Sequence, residues 1–152
     1  MDDLDRRLLT RLQRDANESI EALGDAVGLS RNACWRRIRR LEEDGVVKRR
    51  VALVAPAKVN LGLTVFIAIR TNEHTPEWLE QFAEVTGAIP EIEGVYRTSG
   101  DLDYLVKARV PDVAAYDALY QRLIRRLRLV DISASFVMEE IKETTELTLI
   151  YA

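Results

Sequence analysis

The sequence is poor in the residues from which metal centres and nucleophilic active sites are built. Its 152 residues include one cysteine, Cys34, and one histidine, His74. A single thiol excludes an internal disulfide and gives no sign of an oxidising compartment. One thiol and one imidazole cannot supply a zinc site, and we place Cys34 in an apolar helix stripe rather than beside a base. We therefore predict no metal site.

Long hydrophobic runs are also missing. No apolar run approaches the roughly 20 residues that span a bilayer, and the acidic start MDDLDRRLL does not resemble a secretion signal. The sequence has no glycine-rich phosphate loop and no nucleophile spaced for use by a base. These absences predict a cytoplasmic protein with no membrane contact, no cofactor and no catalytic residues.

Charge is divided unevenly along the chain, although the formal net charge is only −3. Residues 1–60 hold 13 Lys and Arg against 10 Asp and Glu, whereas residues 61–152 hold 9 against 15. Between residues 31 and 50 there are 8 basic and 3 acidic side chains. Because salt screens charges over roughly 8 Å, this local excess matters more than the total charge. It favours a nucleic-acid partner for the first part of the chain.

Helical periodicity predicts two helices in the first 28 residues. The first covers residues 3–14, and Ser19 can cap the second. Gly28 can end the second helix in the left-handed conformation, and Ser30 can cap a third helix. Gly24 leaves room for a close helix crossing. The apolar positions of the first two helices are Leu4, Leu8, Leu9, Leu12, Ile20, Leu23 and Val27.

The third helix is expected to bury one stripe and to expose a side rich in arginine. Its buried stripe is Cys34, Ile38 and Leu41. A guanidinium-rich exposed side suits the major groove of DNA. The alternative is a solvated surface paired with the acids at 42–44. The helix–turn–helix spacing and the position of those acids at the far end of the helix favour DNA binding.

The predicted contacts with double-stranded DNA fall into two chemical groups. Candidates for base edges are Asn32, Trp35 and Arg36, and candidates for phosphates are Arg39, Arg40, Lys48 and Arg49. Ser30 and Arg31, at the start of the third helix, complete the DNA-binding set. Trp35 has an alternative role, in which it packs against the segment VVKRRVALVAP. That segment alternates like the strand or wing of a winged helix.

The second half of the chain, residues 61–152, alternates strand and helix patterns in the order β-α-β-β-α-β. The predicted elements are a strand in LTVFIAIRT, a helix from Thr75, a hairpin at 93–99 and 103–110, a helix from Asp112 with Tyr116 and Tyr120 on its apolar stripe, and a strand in VDISASFVMEEI. Thr145–Ile150 could add a further edge strand. This order is typical of an α+β ferredoxin-like sandwich with both helices on one face of the sheet.

The other face of that sheet is expected to be rich in Val, Ile, Phe and Tyr. No helix remains to cover it, so a large apolar patch would face water. We therefore predict a homodimer formed by the second half of the chain, in which the two sheets pack against each other.

Four segments together carry a resemblance to a known family. They are LDRRLLTRLQRDA at 4–16, GLSRNACWRRIRRLEEDGVV at 28–47, SGDLDYLVKARV at 99–110 and KETTEL at 142–147. In this order they resemble the leucine-responsive and asparagine regulators, the Lrp/AsnC family of transcription factors. The resemblance implies a winged helix–turn–helix over residues 1–60, with the helix–turn–helix at Ile20 to Arg39. It also implies a ferredoxin-like effector domain (the RAM domain) over residues 61–152.

The family further implies homodimers that often assemble into octamers, and control by amino acids or related metabolites. Its ligand pocket lies between effector domains. The matching positions here are Ser99, Gly100, Asp101, Asp103 and Tyr104 in the hairpin, with Ser135, Phe136 and Met138 opposite. A carboxylate there can accept from an α-ammonium group. The alternative is that Gly100 and Asp101 form only a tight turn.

One departure and two open functional readings accompany the resemblance. The family usually has a Pro-Gly turn before the last strand, and RRLRLVDIS has neither residue, so the helix either runs on or the turn is rebuilt. Three short segments look most like the branch that responds to cysteine and controls its breakdown, which makes cysteine a candidate effector. They are the Cys34-Trp35 pair, VALVAPAKVNLGLTVF and SFVMEEIKETTEL. A ligand-independent architectural protein that wraps DNA is the alternative function.

Overall fold

Three helices form the amino-terminal unit of the computed structural model, which describes residues 1–152. They are α1 (Asp3–Arg14), α2 (Ile20–Val27) and α3 (Arg31–Glu43). Each begins at a side-chain cap, because Asp2, Ser19 and Ser30 each accept a backbone N–H three residues ahead. All three helices were predicted. No helix of the chain is long and apolar enough to cross a membrane.

The core of this unit is the set of apolar stripes read from the sequence. The buried side chains are Leu8, Leu12, Leu23, Val27, Cys34 and Ile38. Cys34 is 0% exposed, and burial raises the pKa of its thiol. The cysteine is thus a neutral core residue, as its place in the apolar stripe predicts.

The turn between α2 and α3 depends on two glycines. Gly28 has φ of 76°, a left-handed conformation that glycine adopts without strain. The Leu29 N–H donates to the Gly24 carbonyl at 2.8 Å, which draws the two backbones together. A Cβ on Gly24 would lie 2.7 Å from the Leu29 carbonyl oxygen. The absence of a side chain at Gly24 therefore makes space mainly for the Leu29 carbonyl of the turn.

Residues 46–55, predicted as a strand or wing, form no strand. The backbone N–H groups of residues 48–54 donate to no other backbone group. Val51, Leu53 and Val54 are exposed. The prediction of a wing strand is wrong for the single chain, because alternating β-branched residues favour extended backbone but a strand needs a partner ladder.

The second compact unit comprises residues 54–140, whereas residues 141–152 return to the amino-terminal unit. The second unit opens with a short 3₁₀ helix at Pro56–Val59. Its remaining elements are β1 (Leu63–Arg70), α4 (Pro76–Gly87), β2 (Ile92–Arg97), β3 (Tyr104–Val110), α5 (Val113–Arg126) and β4 (Asp131–Phe136). The four strands form one antiparallel sheet in the order β2-β3-β1-β4. This is the predicted ferredoxin-like arrangement.

Helices α4 and α5 cover one face of the sheet. The core contains Val65, Ile67 and Ile69 from β1 together with Leu119 and Leu123 from α5. Aromatic rings close one end of it, where Trp78, Phe82 and Tyr104 lie with ring centroids between 4.6 and 5.6 Å apart.

The open face of the sheet is more polar than predicted. Its strand positions are Thr64, Phe66, Ala68, Gly94, Tyr96, Leu105, Lys107, Arg109, Ser133 and Ser135. The valines and isoleucines of β1 and β3 alternate to the opposite side, where the helices bury them. The expectation that the open face is rich in Val and Ile was therefore wrong. Its apolar side chains are mainly Phe66, Tyr96 and Leu105.

The end of the chain also differs from expectation. Thr145–Ile150 forms no edge strand and instead lies along α1. The Gln13 side-chain amide donates to the Leu147 carbonyl at 3.2 Å and accepts the Leu147 N–H at 2.7 Å. Arg14 pairs with Glu146 at 3.0 Å. These contacts with α1 replace the backbone ladder that a strand would need.

The missing Pro-Gly turn is rebuilt with other residues. Helix α5 ends at Arg126, and Leu127 adopts extended backbone. The connection to β4 is fixed by the Val130 N–H, which donates to the Arg70 carbonyl at 3.0 Å. The Trp78 indole N–H donates to the Arg128 carbonyl at 3.4 Å. The helix does not run on.

Candidate nucleic-acid interface and ligand site

The outward side of α3 presents the side chains proposed for base contact. Asn32, Trp35 and Arg36 are all exposed. Trp35 and Asn32 line a shallow pocket of about 230 Å³ with Ile20 and Arg31. Arg36 forms no hydrogen bond or ion pair with any residue of the chain, so its five N–H donors are available to a partner. This surface combines unengaged donors with an aromatic face.

Trp35 lies on the surface of α3 beside Arg39. Its side chain is 51% exposed, and the Arg39 guanidinium carbon lies 5.7 Å from its ring centroid. Arg39 also donates to Glu43 at 2.9 Å. The cation–π contact and the ion pair hold Arg39 beside the indole ring, on the same surface as Arg36.

The start of α3 is occupied by residues with local partners. The Ser30 hydroxyl accepts the Ala33 N–H at 3.3 Å, so it caps the helix. Arg31 is largely exposed and pairs with Glu21 of α2 at 2.5 Å. At the other end of the unit, Lys48 and Arg49 are exposed and have no partner in the chain. Their charges are free to meet phosphates.

Two other arginines of α3 turn inward, toward α1. The Asp5 carboxylate is 2% exposed and accepts from Arg37 at 2.8 Å and from Arg40 at 2.7 Å. Arg37 also donates to Asp2 at 2.7 Å, and this bond, with the one from the Asp5 N–H, lowers the pKa of Asp2. The phosphate contact predicted for Arg40 thus competes with an internal carboxylate.

Asp5 was not among the predicted functional residues, although the sequence carried a signal for it. It precedes Leu8 and Leu9 by three and four positions, which places it on the buried face of α1. A carboxylate on an apolar helix face is costly unless a cation pairs with it. The arginine-rich third helix supplies that cation.

The hairpin residues proposed for ligand binding divide into exposed and buried groups. Ser99, Gly100 and Asp101 form an exposed tip between β2 and β3, and Gly100 has φ of 122°. Asp103 accepts the Thr71 N–H at 2.8 Å, so its carboxylate binds the backbone just after β1. Tyr104 is only 5% exposed, because its ring lies in the core under α4.

The positions expected opposite the hairpin lie away from it within one chain. Ile132 is level with Ile69, which pairs with Tyr104 at the hairpin end of the sheet. Met138 follows Ile132 by six residues, or about 20 Å of strand at roughly 3.3 Å per residue. Ser135 is exposed and lies about half that distance along the strand. Phe136 points to the helices and packs edge-on against Tyr116, with centroids 5.2 Å apart.

Met138 instead borders a second cavity, of about 290 Å³, at the far end of the sheet. The Arg109 side chain beside it is 9% exposed and pairs with Glu93 at 3.0 Å and Glu140 at 3.5 Å. The Thr64 hydroxyl donates to Glu140 at 3.2 Å. Sequence reasoning missed this buried arginine. Together with Lys107, which pairs with Glu93 at 3.5 Å, it faces the carboxylates of Glu93 and Glu140.

Comparison with known proteins finds a family model for each half of the chain. The family model of the AsnC-type helix-turn-helix domain matches residues 1–42, and that of the Lrp/AsnC ligand binding domain matches residues 64–147. The chain belongs to the Lrp/AsnC family. This Lrp/AsnC protein is therefore a DNA-binding transcriptional regulator with a ligand-binding domain, in a family of regulators rather than enzymes.

Individual relatives match this Lrp/AsnC chain over almost its whole length. A glutamate uptake regulatory protein from Zymomonas mobilis is 48% identical over 149 residues, which cover 98% of this chain and 91% of that protein. The structure of an AsnC family transcriptional regulator from Agrobacterium tumefaciens superposes with a TM-score of 0.96 at 53% identity, covering 99% of both chains.

A third match was solved with a ligand. The complex of a transcriptional regulator from Neisseria meningitidis with L-Met superposes with a TM-score of 0.94 at 32% identity. It covers 99% of this chain and 98% of that one.

Proposed function

We propose that this chain is a cytoplasmic, sequence-specific regulator of amino-acid metabolism whose DNA contacts are made by the outward side of α3. The observation that carries the proposal is the unpaired Arg36 beside exposed Asn32 and Trp35. Arg36 can donate twice to a guanine edge, and Asn32 can pair with an adenine edge. Arg39, Lys48 and Arg49 are assigned to phosphates, while Ser30 and Arg31 set the start of the helix.

The proposed assembly is a homodimer through the effector domains, with octamers built from dimers. The sequence placed this domain at residues 61–152, whereas the compact unit that carries the sheet covers residues 54–140. A dimer would place two helix–turn–helix units on half-sites about 34 Å apart along the duplex. Support comes from the open sheet face, opposite α4 and α5, where Tyr96 is exposed and Phe66 and Leu105 are half-buried. Light scattering during size-exclusion chromatography tests this, since a monomer at micromolar concentration would contradict it.

The proposed effector is a small amino acid bound between effector domains. One chain holds the hairpin tip and Met138 at opposite ends of its sheet, so a pocket that uses both needs a second copy. A ligand at such a boundary can favour one assembly over another. Support for an amino acid comes from the L-Met complex of the Neisseria meningitidis relative. Cysteine remains our candidate from the sequence.

Titration with the common amino acids tests the effector assignment. We expect binding of cysteine or of a closely similar amino acid, detected by calorimetry on the full chain. Tight leucine or asparagine binding without any response to cysteine would overturn the cysteine assignment. A footprint on DNA that no amino acid alters, with weak sequence preference, would favour the architectural function instead.

Asp101→Ala is expected to leave DNA affinity unchanged and to abolish the effect of the amino acid on DNA binding. Asp101 is exposed at the hairpin tip, where its carboxylate can accept from an α-ammonium group. The matched control is Asp117→Ala, which removes an exposed carboxylate from α5. Mobility shifts on DNA upstream of the protein's own gene, with and without each amino acid, provide the measurement. An Asp101 variant that responds like the control would remove the hairpin tip from the pocket.

A further inference from the structure

The buried carboxylate of Asp5 is shared by two arginines of the DNA-facing helix. Its Oδ1 accepts from Arg37 Nη1 at 2.8 Å and its Oδ2 accepts from Arg40 Nη2 at 2.7 Å. The side chain of Asp5 is 2% exposed, so the carboxylate end of these charge-assisted bonds is shielded from water. Removing the Oδ2 acceptor would leave Arg40 without a carboxylate partner.

The arginines of α3 thus fall into two pairs with different orientations. Arg37 and Arg40, three positions apart, face α1, whereas Arg36 and Arg39 lie on the exposed side with Trp35. Successive residues of a helix turn by about 100°, so fixing the first pair fixes the direction of the second. The contact with Asp5 therefore acts together with the buried stripe Cys34, Ile38 and Leu41 to set the rotation of α3 about its own axis.

We infer that Asp5 is a positioning residue for DNA recognition, which holds Arg40 away from phosphate and adds to the core packing that orients α3 toward the duplex. This inference rests on the proposed function of α3. Asp5 itself contacts no DNA in this account. It acts through the two inward arginines.

Arg40 depends on Asp5 more than Arg37 does. Arg37 has a second acceptor in Asp2 at 2.7 Å, whereas Arg40 pairs with no other carboxylate and its side chain is 52% exposed. In Asp5→Asn the amide offers one acceptor oxygen in place of two. We expect Arg40 to be released toward solvent, which adds one mobile cation beside the DNA-facing surface.

The expected signature of that release is a change in salt dependence. Each additional phosphate contact steepens the slope of log affinity against log salt by about 0.9. Asp5→Asn should therefore bind random-sequence duplex more tightly and with a slope steeper by about 0.9 for each bound helix–turn–helix. Its preference for the selected sequence should fall, because one of the contacts that hold α3 against α1 is lost. A loss of folded protein would instead weaken binding to both duplexes and leave the slope unchanged.

The experiment measures anisotropy of labelled duplexes titrated with the full chain at several salt concentrations. One duplex is selected from a random pool with the wild-type chain, and the other is random in sequence. The matched control is Asp3→Asn, since the Asp3 carboxylate is 90% exposed on the same helix and pairs with Arg6 rather than with α3. Equal salt slopes for the Asp5 and Asp3 variants would overturn the inference.

Arg40→Ala provides a second test that keeps Asp5 in place. If Asp5 withholds Arg40 from phosphate, the salt slope of this variant should equal that of the wild type. A slope shallower by about 0.9 would show a phosphate contact by Arg40 and overturn the inference. Circular dichroism shows whether each variant is folded. If Asp5→Asn does not fold, the salt slope of Arg40→Ala tests the inference. A wild-type chain that binds neither duplex would overturn the proposed function as well.

Discussion

Gly24→Ala is expected to destabilise the amino-terminal unit by about 1–3 kcal/mol, the range for overpacking a tight contact. The new Cβ would lie 2.7 Å from the Leu29 carbonyl oxygen, a backbone atom that cannot rotate away. Relief requires the turn to open, which stretches the hydrogen bond from the Leu29 N–H to the Gly24 carbonyl. DNA affinity should fall with the folded fraction.

Alkylation of Cys34 gives a direct measurement of that opening. It is the sole cysteine of the chain, and it is 0% exposed beside Gly24. The thiol reacts only when the unit opens, so its rate reports the local stability. The matched control is Gly87→Ala at the end of α4, where an added Cβ meets nothing within 4 Å. A Gly24 variant as protected and as stable as this control would contradict the steric argument.

Arg36→Ala should weaken binding to the preferred DNA sequence by about 1–3 kcal/mol, the cost of losing a bidentate base contact. Binding to random-sequence DNA should fall much less, so that sequence preference relaxes. The physical reason is that Arg36 has no partner in the chain and loses no internal contact on substitution. Competition binding between selected and random duplexes measures both quantities.

Arg125→Ala is the control for the charge removed with Arg36. Arg125 is an exposed arginine of α5 in the other unit and also lacks a partner. Its substitution should leave both affinities unchanged. A uniform loss across all sequences in Arg36→Ala would reassign that residue to phosphate contact.

Local patterns in the sequence were sufficient for most elements of the fold. The caps at Ser19, Ser30 and Thr75 and the apolar stripe of α3 act within a few residues, so periodicity could place them. The strand order followed from the alternation of elements. Residues 46–55 and Thr145–Ile150 failed because a strand also needs a neighbour, which the alternation of side chains cannot identify.

The open sheet face was misjudged for a different reason. Its composition depends on the phase of alternation in β1 and β3, where Val65 and Val106 face the helices while Phe66 and Lys107 face away. A shift of one residue exchanges the two faces. Counting apolar residues over a whole strand could not separate them.

Site residues could be predicted where their role depends only on their neighbours in the sequence. Exposure of Trp35 and Arg36 follows from the helical position of each residue. The pairing of Asp5 with Arg40 joins residues 35 positions apart, and only the packing of α1 on α3 brings them together. Tyr104 was placed in the pocket although its side chain alternates into the core. The hairpin tip and Met138 could not be judged without the sheet register.

The fluorescence of Trp35 tests most directly whether the exposed side of α3 meets DNA. The chain has two tryptophans, and Trp78 is buried at 4% exposure, so Trp78→Phe leaves Trp35 as the single reporter. Acrylamide quenching of this variant is measured during titration with a duplex whose anisotropy reports binding. We predict that Trp35 becomes protected from acrylamide as the duplex binds. Full binding of the duplex with unchanged quenching of Trp35 would contradict the account.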